Sequence, residues 1–169
     1  MADRIPTDPT VDSLIQGTLP WNTVVTLMRE AKDPARFDKL VASWQARVPW
    51  TEPILMPLAA HLFIVNKSGR AIIKTECGAE LCGWRENWKM ACRILVRDTD
   101  EKLARIFPDE HLTIDPRLVE VREFICPQCG TLLDVDVVPP TYPVDLEFEP
   151  DLEAFYAEWL HRPLGVSLD

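Results

Sequence analysis

Two short thiol pairs, Cys77-Gly-Ala-Glu-Leu-Cys82 and Cys126-Pro-Gln-Cys129-Gly130, constrain this chain more than any other feature. Two pairs far apart in sequence are what a tetrahedral Zn²⁺ site asks for. Each pair supplies one edge of the tetrahedron from a turn, and the fold brings the turns together. Gly78, Gly83 and Gly130 flank those turns, where a backbone wrapping a metal needs residues that tolerate positive φ. The second pair, with proline inside and glycine directly after, is the stronger metal motif. The first has four spacers and is weaker alone. The expected metal ligands are Cys77, Cys82, Cys126 and Cys129. Four thiolates fill a tetrahedral shell, so such a metal folds the chain and does no chemistry.

Disulfides, buried thiols or a redox couple at Cys126 and Cys129 are the competing readings. Met1 to Pro20 has no cationic start and no long apolar core, so it does not read as a signal peptide. The expected location is cytoplasmic, where thiols stay reduced and metal is favoured over disulfide. Cys92, in the run Met90-Ala91-Cys92-Arg93-Ile94-Leu95-Val96, reads as a small buried hydrophobe.

Charge removes the partner that zinc ribbons most often suggest. The 27 acidic and 18 basic residues leave a net charge of −9, whereas a phosphate backbone demands a basic surface. A nucleic-acid-binding or regulatory ribbon module therefore ranks second. No apolar run approaches the ~20 residues that span a bilayer. Fifteen prolines against six glycines, with clusters at Pro49 to Pro57 and Pro139 to Pro150, point to extended connectors. Six tryptophans are many for this length, and such large aromatics suit cores and also protein interfaces.

The pattern along the chain predicts an α+β protein: a small antiparallel zinc-ribbon-like β core, N-terminal helices, proline-rich arms and a C-terminal helix. Trp21, Val24, Val25 and Met28 recur at helical spacing. Asp33 and Pro34 open a second helix striped by Phe37, Leu40, Val41 and Trp44. Leu62–Val65 and Ala71–Lys74 flank a turn at Asn66-Lys67-Ser68-Gly69. Trp88–Val96 reads as strand or helix, and Asp98–Glu101 resembles a capping box for a helix reaching about Phe107. Leu118–Ile125 runs into Cys126, and Leu133–Val137 alternates cleanly as it leaves the second thiol turn. Leu152, Phe155, Tyr156, Trp159 and Leu160 form the apolar face of a last helix, which packs on the N-terminal helices or on a partner. The expected division is an N-terminal helical arm (1–50), a ribbon-like β domain with an inserted helix (51–138), and an arm with a final helix (139–169).

Catalytic chemistry is not legible. His61, His111 and His161 stand near no motif, and no glycine-rich phosphate loop or nucleophile elbow occurs. Asp145, Glu147, Glu149 and Asp151 read as a solvated or partner-facing arm.

Several strings resemble the gamma subunits of acetone carboxylases. They are Val48-Pro49-Trp50, Leu62-Phe63-Ile64-Val65, Glu76-Cys77-Gly78, Cys82-Gly83-Trp84-Arg85-Glu86-Asn87-Trp88-Lys89, Val96-Arg97-Asp98-Thr99, Cys126-Pro127-Gln128-Cys129-Gly130-Thr131-Leu132 and Tyr142-Pro143-Val144. Asp151 to Leu160 fits as well, and the resemblance runs from about Asp33 to Leu160. It implies a non-catalytic, zinc-carrying subunit of a heteromeric ligase with alpha and beta subunits, in an (alpha-beta-gamma)2 assembly. Such complexes convert acetone and bicarbonate to acetoacetate, with ATP, Mg²⁺ and Mn²⁺ on the large subunits. Relatives carry a further cysteine at the position of Thr75; its absence here leaves Cys77 and Cys82 as the ligands the resemblance implies.

Overall fold

The computed structural model describes residues 8–109 and 114–166. His111 lies outside the described residues. The chain is α+β, with its strands in two antiparallel sheets. Three helices open it: α1 (Pro9–Ile15), α2 (Trp21–Arg29) and α3 (Arg36–Gln45). The third begins at Arg36, two residues later than the sequence placed it and without a side-chain cap; Asp33 accepts from the Ala35 N–H at 2.8 Å in the turn just before it. The first sheet is a meander of β1 (Ile54–Ala59), β2 (Leu62–Lys67), β3 (Arg70–Thr75) and β4 (Glu80–Gly83), in that order. The β2–β3 turn contains Gly69 at φ 87°, a conformation that glycine adopts without strain.

Strand β2 is buried on both faces, and its side chains sort by the two-residue period of a strand. Phe63 and Val65 join Val48, Ile54, Val41, Trp44 and Trp50 on the side of α3. Leu62 and Ile64 join Trp84, Trp88, Phe124 and Leu152 on the opposite side. Phe124 belongs to the second sheet, which consists of β5 (Arg93–Arg97), β6 (Glu120–Ile125) and β7 (Leu132–Val138). The first sheet is thus sandwiched between α3 and the second sheet. A 3₁₀ turn over Trp88–Ala91 leads into β5, and α4 (Asp100–Ala104), capped by Thr99, connects β5 to β6.

The proline-rich stretch from Pro49 to Pro57 contributes a strand rather than a connector. Pro57 sits in β1, an edge of its sheet, where the missing N–H breaks no ladder bond on the open side. Residues 139–150 contain no helix or strand. They are fastened to the β layer by Arg122, which donates to the carbonyls of Tyr142 (2.6 Å) and Pro143 (3.3 Å), and by Asn87, which donates to that of Val144 (2.7 Å).

Asp151 caps the last helix through the Ala154 N–H at 2.9 Å. This element, α5, is α-helical over Leu152–Ala154 and continues as a wider π turn over Phe155–Trp159. It packs on α3: the Phe37 and Phe155 rings meet edge-on at 4.9 Å, and Arg162 pairs with Asp38. The Tyr156 hydroxyl, inside the core, donates to the Leu55 carbonyl at 2.7 Å. Tyr156→Phe strands that carbonyl and is expected to lower stability by about 1 kcal/mol, read as a shift in denaturant midpoint at constant slope. An unshifted midpoint would mean that the bond contributes nothing. Among the described residues no helix is long and apolar enough to cross a membrane.

Candidate metal centre

Strand β3 ends at Thr75, and the chain reverses through Glu76-Cys77-Gly78 before β4. Gly78 donates to the Thr75 carbonyl at 2.9 Å with φ 101°. A Cβ there would meet the Trp50 ring at 3.2 Å. The turn between β6 and β7 is built the same way. Cys126 donates to the Thr131 carbonyl at 2.8 Å, Gly130 donates to the Cys126 carbonyl at 3.1 Å, and Gly130 has φ 79°. The two turns meet at the seam between the sheets.

There the sulfurs of Cys77, Cys126 and Cys129 lie within 4.8 Å of one another, and those of Cys77 and Cys126 are 3.7 Å apart. Zinc–thiolate bonds near 2.3 Å give a tetrahedral edge of about 3.8 Å, which the Cys77–Cys126 separation matches, and the Cys129 sulfur lies close enough to join them around one ion. Cys126 is fully buried and Cys129 is exposed. Hydrogen bonds from the hydroxyl and backbone N–H of Thr131 pull the Cys129 thiol down to about 7, close to the thiolate a metal takes. Burial pushes Cys77 the other way.

The structure does not place Cys82 in this group. Cys82 sits in β4 opposite Ile73, two residue pairs from Thr75 or about 7 Å along the strand. Its thiol faces the Glu86 carbonyl at 3.6 Å, and burial, reinforced by the Glu86 charge, raises it to about 11. Cys92 is raised to about 11 as well, chiefly by burial. Both pack against the core shared by the two sheets. In place of a fourth sulfur stands Thr75. Its hydroxyl oxygen lies 3.2 Å from the Cys77 sulfur, 3.9 Å from that of Cys126, and accepts from the Ala79 N–H at 3.0 Å.

A pocket of about 320 Å³ reaches Thr75, Cys77 and Cys129, with Arg47, His61 and Glu76 on its wall. His61 holds Glu76 through Nδ1 at 2.5 Å. His161 lies instead in an apolar groove beside Trp159.

A second cluster was invisible in the sequence. The Lys89 ammonium, fully buried, sits 2.6 Å from Asp136, 3.1 Å from Asp134, 3.1 Å from Glu147 and 4.8 Å from the Phe124 ring centre. The lysine occupies the space a cation would take between those carboxylates. Glu147 therefore does not hang in solvent: it ties the segment after Pro140 to the β layer. Asp134 and Asp136 were legible only as the polar half of an alternating strand.

Residues 48–160, which include both thiol turns, match the sequence profile described as acetone carboxylase gamma subunit. The chain is 40% identical over 158 residues to the acetone carboxylase gamma subunit of Xanthobacter autotrophicus, covering 92% of this chain and 94% of that protein. It is 28% identical over 83 residues to the acetophenone carboxylase beta subunit of Aromatoleum aromaticum, covering 48% and 64%. With two-thirds of its length inside the profile and a relative matched almost end to end, the chain belongs to the acetone carboxylase gamma subunit family.

Proposed function

We propose that this chain is the non-catalytic, zinc-binding gamma subunit of a cytoplasmic, ATP-dependent ketone carboxylase that joins acetone and bicarbonate into acetoacetate. In this reading the metal cross-links the two sheets through Cys77, Cys126 and Cys129. The large alpha and beta subunits bring ATP, Mg²⁺ and Mn²⁺ in an (alpha-beta-gamma)2 assembly.

The observation that carries the subunit role is apolar surface left uncovered. Helix α2 buries no residue, and Trp21 is 73% exposed. A groove of about 600 Å³ runs between α1, α3 and α5, walled by Leu14, Phe37, Leu40, Phe155 and Trp159, and Trp159 is 69% exposed. On the second sheet Leu95, Val135 and Val137 share an outward face. Large apolar side chains left exposed around a groove are what a protein interface covers.

Co-expression with the large subunits, followed by purification through a tag on this chain, is expected to recover all three polypeptides with bicarbonate-dependent turnover of acetone. Active large subunits forming without it would contradict the assembly role. Trp159→Ala is expected to weaken the assembly by about 2 kcal/mol, as for an aromatic interface anchor. The thermal midpoint of the chain itself should hardly move.

A further inference from the structure

We propose that the metal centre of this chain is a three-thiolate cup whose fourth coordination position is open and holds an exchangeable neutral donor, water at rest. The inference rests on the metal-binding reading above and goes beyond it. Three sulfurs converge, and the residue that completes their surroundings is Thr75. A neutral hydroxyl is a poor zinc donor compared with thiolate, imidazole or carboxylate. The Thr75 oxygen is also committed, since it accepts from the Ala79 N–H and shares a hydrogen bond with the Cys77 sulfur. A threonine placed so supports a ligand and does not replace one; its hydroxyl offsets part of the negative charge that gathers on Cys77.

Cys82 cannot close the site while β4 keeps its register with β3, because a register of Cys82 against Ile73 holds it two pairs away. Access is present instead. Cys129 is exposed, and the pocket that reaches Cys77 and Cys129 has room for several waters. Charge selects the class of ligand. Zn²⁺ with three thiolates already carries a net negative charge, which disfavours an anion and favours a neutral oxygen or nitrogen donor. The arrangement is that of a site able to take a small Lewis base, in contrast to a closed structural shell.

The test is zinc X-ray absorption on the complex as purified, which is blind to other metals on other subunits. Three sulfurs and one light scatterer near 2.0–2.1 Å are expected. Thr75→Cys should convert this to four sulfurs. With cobalt in place of zinc, added imidazole should shift the visible spectrum of the wild type and leave that of Thr75→Cys unchanged. Four sulfurs in the wild type would overturn the open position, with the metal-binding reading intact. An imidazole scattering pattern in imidazole-free buffer, lost in His61→Gln, would overturn it too, since the chain would close its own site. Absence of zinc from the purified complex would sink the underlying reading instead. Should Thr75→Cys fail to fold, the wild-type sulfur count and imidazole response decide the matter alone.

Discussion

Cys126→Ser is expected to abolish zinc binding and to destabilise the chain by about 4 kcal/mol. The magnitude comes from the connection that the metal makes. A bridge from Cys77 to Cys126 spans 49 residues, and cross-linking a loop of that length removes about 4 kcal/mol of chain entropy from the unfolded state. Metal binding in small zinc peptides is worth more, about 10 kcal/mol and above, because there it is the whole folding energy. Here the cores on both faces of β2 share the load. Serine keeps the shape of the buried turn and removes the thiolate, so the change isolates the bond to metal. Two controls sharpen the result. Chelating zinc from the wild type should reproduce the loss and leave Cys126→Ser unaffected. Cys82→Ala should keep its zinc. Metal analysis beside denaturant unfolding reads all three, and a Cys126→Ser protein with full zinc would refute the ligand assignment.

Lys89→Met is expected to lower stability by about 3 kcal/mol, the low end of what removing one member of a buried ion pair does. The penalty falls mainly on Asp136, whose carboxylate is buried, since Asp134 and Glu147 retain water. Burial pulls the Lys89 pKa down, but hydrogen bonds to Asp136, Asp134 and Glu147 outweigh it, and the net shift is upward. A group whose folded pKa stands above its unfolded value gives stability that is complete below about 10.4 and fades as pH climbs through the folded value. Wild-type protein should therefore lose this contribution only in strong alkali. The variant should be least impaired in acid, where the stranded carboxylates take up protons. The double change Lys89→Met with Asp136→Leu should recover much of the loss, because an apolar pair of similar volume needs no counter-charge. Equal stability of Lys89→Met and wild type at pH 7 would show that the cluster holds nothing together.

Local signals in the sequence carried most of the elements. Asn66 to Gly69 between two β-branched runs predicted the β2–β3 hairpin, and Asp151 after Pro150 predicted the start of α5. The thiol turn at Cys126 was legible because proline and glycine at fixed offsets describe one backbone shape. The first turn was not, because four spacers fit equally a metal loop and a tight turn followed by a strand. The second occurs: Gly78 reverses the chain at once, and pairing against β3 carries Cys82 away. Pro57 hid β1, since edge position is a property of the sheet and not of the residue.

Alternation at Leu133 to Val137 established a strand and said nothing of which face turns inward. Asp136 is buried and Val137 exposed, the reverse of a simple hydrophobic pattern. The reason is Lys89, brought by a distant 3₁₀ turn to a place where only carboxylates can match it. The aromatic face of α5 left two destinations open, α3 or a partner. The residues divide between them: Phe155 and Tyr156 pack on Phe37, while Trp159 faces outward.

The most direct test of the central claim is native mass spectrometry of the complex captured through a tag on this chain. The expected result is an assembly with the larger carboxylase subunits in which each copy of this chain carries the added mass of a single zinc. That increment should be missing from the Cys126→Ser assembly. This chain emerging by itself, or an intact assembly in which it carries no metal, would contradict the account.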